Sequence, residues 1–385
     1  MTPRIAPVIL GLCVALCGLS SAHAVCGDWA KRLSGGDCDL RGKDLAGMDL
    51  SGQDLRGANL ERAKLAGTNL SGADLREAKL NDAVMERADL TQAKLRGAKM
   101  RNVKLRGAQL GRADLRDVDL YRADLREIRA ERVLLAEASL EKADLRNARM
   151  ARAVLKGASL RGAQLEKANL REAVLERADL RDIKARRVNL REAKLERVDG
   201  RGAKLEGADL QGIDAEYANL QGADLDGAQL RGADLENAKL QGAHLERAEL
   251  REAKLAHANF RDARMERAVL RNIRAGQADF RDAEMEYVEA NDARLERADL
   301  RGADLQRAVL RDAHLDDANL RDANLRDADL RGARIDDTEL RGANLRGADL
   351  QGARGEAEAD GARLDGATCP SGQRSDGDCD GEWRR

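Results

Sequence analysis

Aromatic side chains make up 2% of this 385-residue chain, proline occurs 3 times and histidine 4 times. Few aromatics combined with 36% charged residues is a composition shared by many disordered segments. Disorder, however, goes with a large net charge and few leucines. Here 68 basic and 69 acidic residues nearly cancel, and leucine is abundant. A formal balance of −1 argues against a generic binder of polyanions and against a strongly acidic mimic of nucleic acid. His244, His257 and His314 stand far apart along the chain, so no histidine-built metal cluster is expected. Serine is rare and none is placed to pair with a histidine, which leaves no nucleophilic site to name. No cofactor motif is present either.

Long hydrophobic runs are absent except at the start. Residues 1–24 combine an early Arg4, an apolar stretch from Ile5 to Leu19 and the small-x-small sequence Ala22-His23-Ala24. That is the pattern of a secretory signal peptide, and it is shorter than the roughly 20 apolar residues of a membrane span. The chain is therefore expected to be exported, to a bacterial periplasm or the medium, with no membrane span once the signal is removed. Cysteine usage agrees. Four cysteines remain after the signal, as two sequence-local pairs: Cys26 with Cys38, and Cys369 with Cys379. An even number at short spacing in an exported chain reads as disulfides.

What fills the rest is a period of five. From Leu40 to Leu350 every fifth residue, 63 positions in unbroken phase, is apolar or small, and 49 of them are Leu. Ala usually stands two before each such centre, Asp or Asn one before, Arg often one after and Gly often two after. In an α-helix, five residues advance about 500°, so the leucines would scatter around the axis. In a flat strand, a step of five would alternate them between faces. A chain that bends once per pentad keeps the centre and the residue two before it on one inner side. A solenoid follows, with a Gly-tolerant corner after each short extended stretch.

Strings such as Ala58–Leu75 (ANLERAKLAGTNLSGADL) and Ala298–Leu310 (ADLRGADLQRAVL) resemble the pentapeptide repeat family, whose pattern is A(D/N)LXX. The resemblance covers about residues 40–353. It implies an all-β solenoid, a right-handed quadrilateral β-helix with four pentapeptides per coil and hence about 16 coils. The segments 25–39, with Cys26 and Cys38, and 354–385, with Cys369 and Cys379, depart from the repeat and are expected to cap the two ends.

An internal check supports the shared interior without reference to any family. Six centres are small: Ala130, Ala185, Gly200, Ala215, Ala275 and Ala290. The residues two before them are Ile128, Ile183, Val198, Ile213, Ile273 and Val288, all β-branched where Ala is usual. A close-packed interior demands this exchange, because voids and overpacking are both unfavourable. Phe260 and Phe280, 20 residues apart, are expected to stack in consecutive coils.

The outer charges run in columns of step 20. Arg56, Arg76, Arg96 and Arg116 occupy one column, which continues as Glu176, Glu196, Glu216 and Glu236. The neighbouring column carries Arg171, Arg191, Arg231, Arg251, Arg271, Arg311 and Arg331. These seven arginines are the candidate docking stripe. Mutual neutralisation is the other reading, since Arg171 precedes Glu172 and Arg191 precedes Glu192. The function expected is that of an exported, non-enzymatic scaffold whose partner is a protein or another envelope component. A second reading comes from the resemblance: some members of the family mimic DNA to regulate topoisomerases. That role calls for a cytoplasmic address and a strongly negative surface, so nucleic-acid mimicry and nucleic-acid binding are not expected. Oligomeric state is open.

Overall fold

The computed structural model describes residues 39–377 and Cys379, in two compact units that divide after Gln164. The region before Asp39, which includes the expected signal and the expected Cys26 and Cys38 pair, lies outside the described residues. No α-helix occurs among the described residues, and none is therefore long and apolar enough to cross a membrane.

Each unit is built from the same five-residue unit of structure. The residue before each centre pairs in parallel with the residue 20 positions on, as in Asn59↔Lys79 of the first unit and Asn219↔Lys239 of the second. The pairing is too short at each step to make conventional strands. Only Thr338–Glu339 (β1) and Ala357–Glu358 (β2) extend to two residues, and they pair in parallel.

Where Asp or Asn precedes the centre, the pentad can pair all five of its backbone N–H groups. In the pentad beginning at Leu60, Leu60 N–H donates to Lys79 O at 2.7 Å and Arg62 N–H to Asn81 O at 3.0 Å. Lys64 N–H donates backward to Lys43 O at 2.8 Å, and Ala63 N–H closes the turn onto Leu60 O at 3.0 Å. The fifth N–H, on Glu61, is accepted by the Asn59 side-chain Oδ1 at 3.2 Å. Leu220–Asp224 repeats the scheme in the second unit, with Gln221 N–H donating to Asn219 Oδ1 at 3.3 Å. The preference for Asp or Asn before each centre is thus an Asx turn that satisfies the one donor the coil ladder leaves over.

The corner fixes the residue two after each centre in the left-handed region. Glycine is the natural occupant, yet Arg62 (φ 57°), Tyr217 (57°) and Asp312 (54°) adopt it too. A positive φ at the third turn position alone is the type II signature. Non-glycine residues there are strained by roughly 1–2 kcal/mol each, and the ladder bond from that same N–H offsets it.

Inside each unit the centre and the residue two before it are buried together: Ala63 and Leu65, Ala243 and Leu245 are all fully inaccessible. The compensating pairs sit there as well, with Ile273 and Ala275 at 0% exposure. Phe260 and Phe280 stack at 5.0 Å between ring centroids, 6° from parallel. Around Gly200 a void of about 20 Å³ is lined by Leu195, Leu205, Ala215 and Leu220 among others. Leu220 occupies part of the space a side chain would take, since a Cβ on Gly200 would meet Leu220 Cδ2 at 2.9 Å.

The ladder runs on past Ala353. Arg334 pairs with Arg354 at the usual spacing of 20, but Asn344 pairs with Arg363 and Asp349 with Thr368, a spacing of 19. One residue is missing from the corner at Gly355. Its φ of 112° and the 2.5 Å that would separate a Cβ from Asp336 N admit glycine alone. The phase slip hides this coil from a strict count of fives. Cys369 then occupies an inner centre, buried, and bonds to Cys379, also buried, after the chain turns back to pair Thr368 with Arg374 antiparallel.

Candidate interaction surface

With both inner positions of each pentad filled by Ala, Leu and their substitutes, chemistry is confined to the three outward positions. The residue before the centre lies mid-face, and the next two outward residues form the corner. Each recurs at step 20, so the surface consists of columns whose members are about 4.8 Å apart.

Part of the charge on these columns is neutralised by one local device. Where the pentad reads Asp-Leu-Arg, the arginine folds back and grips the aspartate with two nitrogens. Arg181 Nε and Nη2 lie 2.8 and 2.5 Å from Asp179 Oδ1 and Oδ2, and Arg281 grips Asp279 in the same way. The forks then link coil to coil: Arg181 Nε lies 3.7 Å from Asp199, which Arg201 grips at 2.7 Å. The Arg76 donors likewise hold the Asp74 carboxyl below its usual range against the opposing effect of burial.

The seven arginines of the candidate stripe occupy one corner column of the second unit, and each has a carboxylate partner. Arg171 meets Glu172 and Glu192 at 3.2 and 3.3 Å, and Arg191 meets Glu192 at 3.3 Å. Arg231 meets Glu252 at 2.9 Å, Arg251 meets Glu249 at 3.2 Å, and Arg271 meets Glu289 at 2.6 Å. Arg311 and Arg331 share Asp329 at 2.6 and 2.7 Å. The side chains are about half exposed, so each pair contributes about 0–1 kcal/mol.

The acidic column is less compensated. Glu196 is pushed above its usual range first by the charge of Asp214, and Glu216 first by burial and then by Asp234 and Asp214. Further along, a surface cavity of about 630 Å³ is lined by Glu252, Lys254, Asn272, Arg274, Asp292 and Arg294. Of the histidines, His314 lies 3.5 Å from Glu296. Among the described residues no group of His, Cys, Asp and Glu is arranged to hold a metal ion. Of the cysteines, Cys369 and Cys379 are bonded to each other, while Cys26 and Cys38 lie outside the described residues. The sequence reading followed only the column after each centre. The mid-face column and the second corner column carry as much charge and become legible once the step of 20 is applied to them.

Comparison with known proteins places these features. The family model "Pentapeptide repeats (8 copies)" matches overlapping stretches from 36–72 to 323–354, leaving only short gaps between. A search of curated proteins returns no match. Among solved structures, full-length QnrB1, a plasmid-mediated fluoroquinolone resistance protein, is 20% identical over 42% of this chain and 89% of its own, with a TM-score of 0.26. HetL, a pentapeptide repeat protein involved in heterocyst differentiation regulation in the cyanobacterium Nostoc, is 24% identical over 85% and 92%, with a TM-score of 0.13. A pentapeptide repeat protein of the Arabidopsis thaliana thylakoid lumen is 26% identical over 34% and 71%, with a TM-score of 0.20.

Proposed function

The chain belongs to the pentapeptide repeat family, and from that premise we propose that it is an exported, non-enzymatic scaffold that presents columns of charge to a protein or other envelope component. One observation carries this reading. The interior is closed by buried Leu and Ala, so whatever the protein recognises must meet the outward columns, which the coil ladder holds at a fixed pitch. Such a surface suits positioning and docking rather than the enclosure of a reacting substrate. Within the proposal, the coils are right-handed and four-sided, and the segments holding Cys26 with Cys38 and Cys369 with Cys379 close the two ends against edge-to-edge pairing. The leader at residues 1–24 supports export, and paired thiols suit an oxidising compartment.

Two measurements test it. Fractionation with N-terminal sequencing should recover a chain that begins after Ala24, in the envelope or the medium. Recovery of an uncleaved chain from the cytoplasm would remove the export half. Photo-crosslinkers placed at Arg251 and Arg271 should give one discrete adduct of fixed stoichiometry. A diffuse smear, equal to that from a crosslinker at Lys79, would contradict a docking role for the stripe.

A further inference from the structure

The near-zero charge of the whole chain conceals a strong local excess. In the first unit the mid-face residues Arg129 and Arg149 pair in parallel in adjacent coils. The corner beside them carries Arg112, Arg132 and Arg152, again one per coil, each at positive φ with an exposed side chain. Arg112, Arg129, Arg132 and Arg149 have no ion pair among the described residues, unlike Arg126 and Arg146, which grip Asp124 and Asp144. The column between holds Gly111, Glu131 and Ala151, so beside these four arginines it supplies one carboxylate and two small residues.

Stacked, exposed arginines without partners repel one another, and an anion brought to them relieves that repulsion. Arginine in particular presents a planar fork matched to two-oxygen anions. We propose that this face binds a linear acidic polysaccharide bearing one carboxylate or sulfate on each sugar. The pitch favours it, because a sugar ring in an extended chain advances by about one coil spacing, ~4.8 Å. A single nucleic-acid strand is disfavoured because it needs aromatic platforms for its bases, and the exposed large aromatics, Tyr217 and Tyr287, lie in the second unit. An anionic membrane is disfavoured because the columns of this face carry no large apolar side chain to enter the lipid boundary.

The test titrates the purified full chain with polygalacturonate, heparin, neutral dextran, oligothymidylate and phosphatidylglycerol vesicles, at low salt and at about 0.5 M salt. Binding to polygalacturonate or heparin but not dextran is expected, weakened by salt, and the preferred polymer tells carboxylate from sulfate. R129E/R149E should weaken it about tenfold or more, R129K/R149K less, while the single charge reversal R62E, outside these columns, should bind as the parent does. Retained far-ultraviolet circular dichroism would show that the variants fold. No binding to either acidic polymer at low salt, an equal loss in R62E, or tighter binding of oligothymidylate or vesicles would overturn the proposal.

Discussion

Exchanging the residues of one compensating pair probes the interior most sharply. Ile273 and Ala275 are both fully buried, and the same positions one coil away on either side hold Ala253 with Leu255 and Ala293 with Leu295. Ile273→Ala alone removes three carbons from a site that water does not reach, and should destabilise by about 2–5 kcal/mol. Ala275→Leu alone adds three carbons beside an unreduced Ile273, and should destabilise by about 1–3 kcal/mol. The double variant recreates the arrangement of its neighbours and should lie within about 1 kcal/mol of the parent. The coupling is then roughly 2–8 kcal/mol, far above the few tenths expected for independent sites. Urea unfolding followed by circular dichroism, with the m-value checked for constancy, reads all three variants. If the double variant is as unstable as the sum of the singles, the two positions do not share one filled volume and the packing argument is wrong.

Three further outcomes follow from the same structure. Asp124→Ala removes both the fork to Arg126 and the acceptor for Arg126 N–H, so it should destabilise by about 1–2 kcal/mol, whereas Asp124→Asn keeps the Asx acceptor and should lose about half as much; thermal melts distinguish them. Burial raises the Asp329 carboxyl, but donors from Arg331 and Arg311 outweigh it and hold the group at about 2. A depressed carboxyl contributes stability above its unfolded value near 4, and that contribution is lost as pH falls toward 2. Denaturation midpoints should therefore drop over that window by less in Asp329→Asn than in the parent. Reducing Cys369–Cys379 opens a 10-residue loop and should weaken the end of the second unit by about 2–4 kcal/mol, seen as faster amide exchange at residues 363–375 with residues 60–100 unchanged.

The interior was legible from residues because volume is conserved there: every small centre has a β-branched residue two before it. The Gly-tolerant corner was legible for the same kind of reason, since a positive φ leaves a glycine trace at Gly42, Gly202 and elsewhere. The Asp or Asn before each centre was visible as a preference but not as an Asx acceptor, because its role appears only once the other four N–H groups are accounted for. The coil beyond Ala353 escaped because a single four-residue corner at Gly355 breaks the phase on which the count relied. On the surface, sequence showed the Arg171–Arg331 column and its adjacent acids Glu172 and Glu192, but not the partners that lie in the next coil or before the centre. The exposed arginines at 112, 129, 132 and 149 went unread because summed charge carries no information about position.

The step of 20 is the claim from which the rest follows, and engineered cysteines measure it directly. Lys79 and Lys99 are paired across adjacent coils, at a spacing within the 4.4–6.8 Å Cα range that a disulfide accepts. Lys79→Cys with Lys99→Cys should oxidise nearly completely to an intramolecular disulfide, identified by mass spectrometry of the digest. Lys79→Cys with Lys94→Cys, one pentad short of a full coil, should stay reduced under the same conditions. Equal oxidation of the two pairs, or preference for the second, would contradict the account.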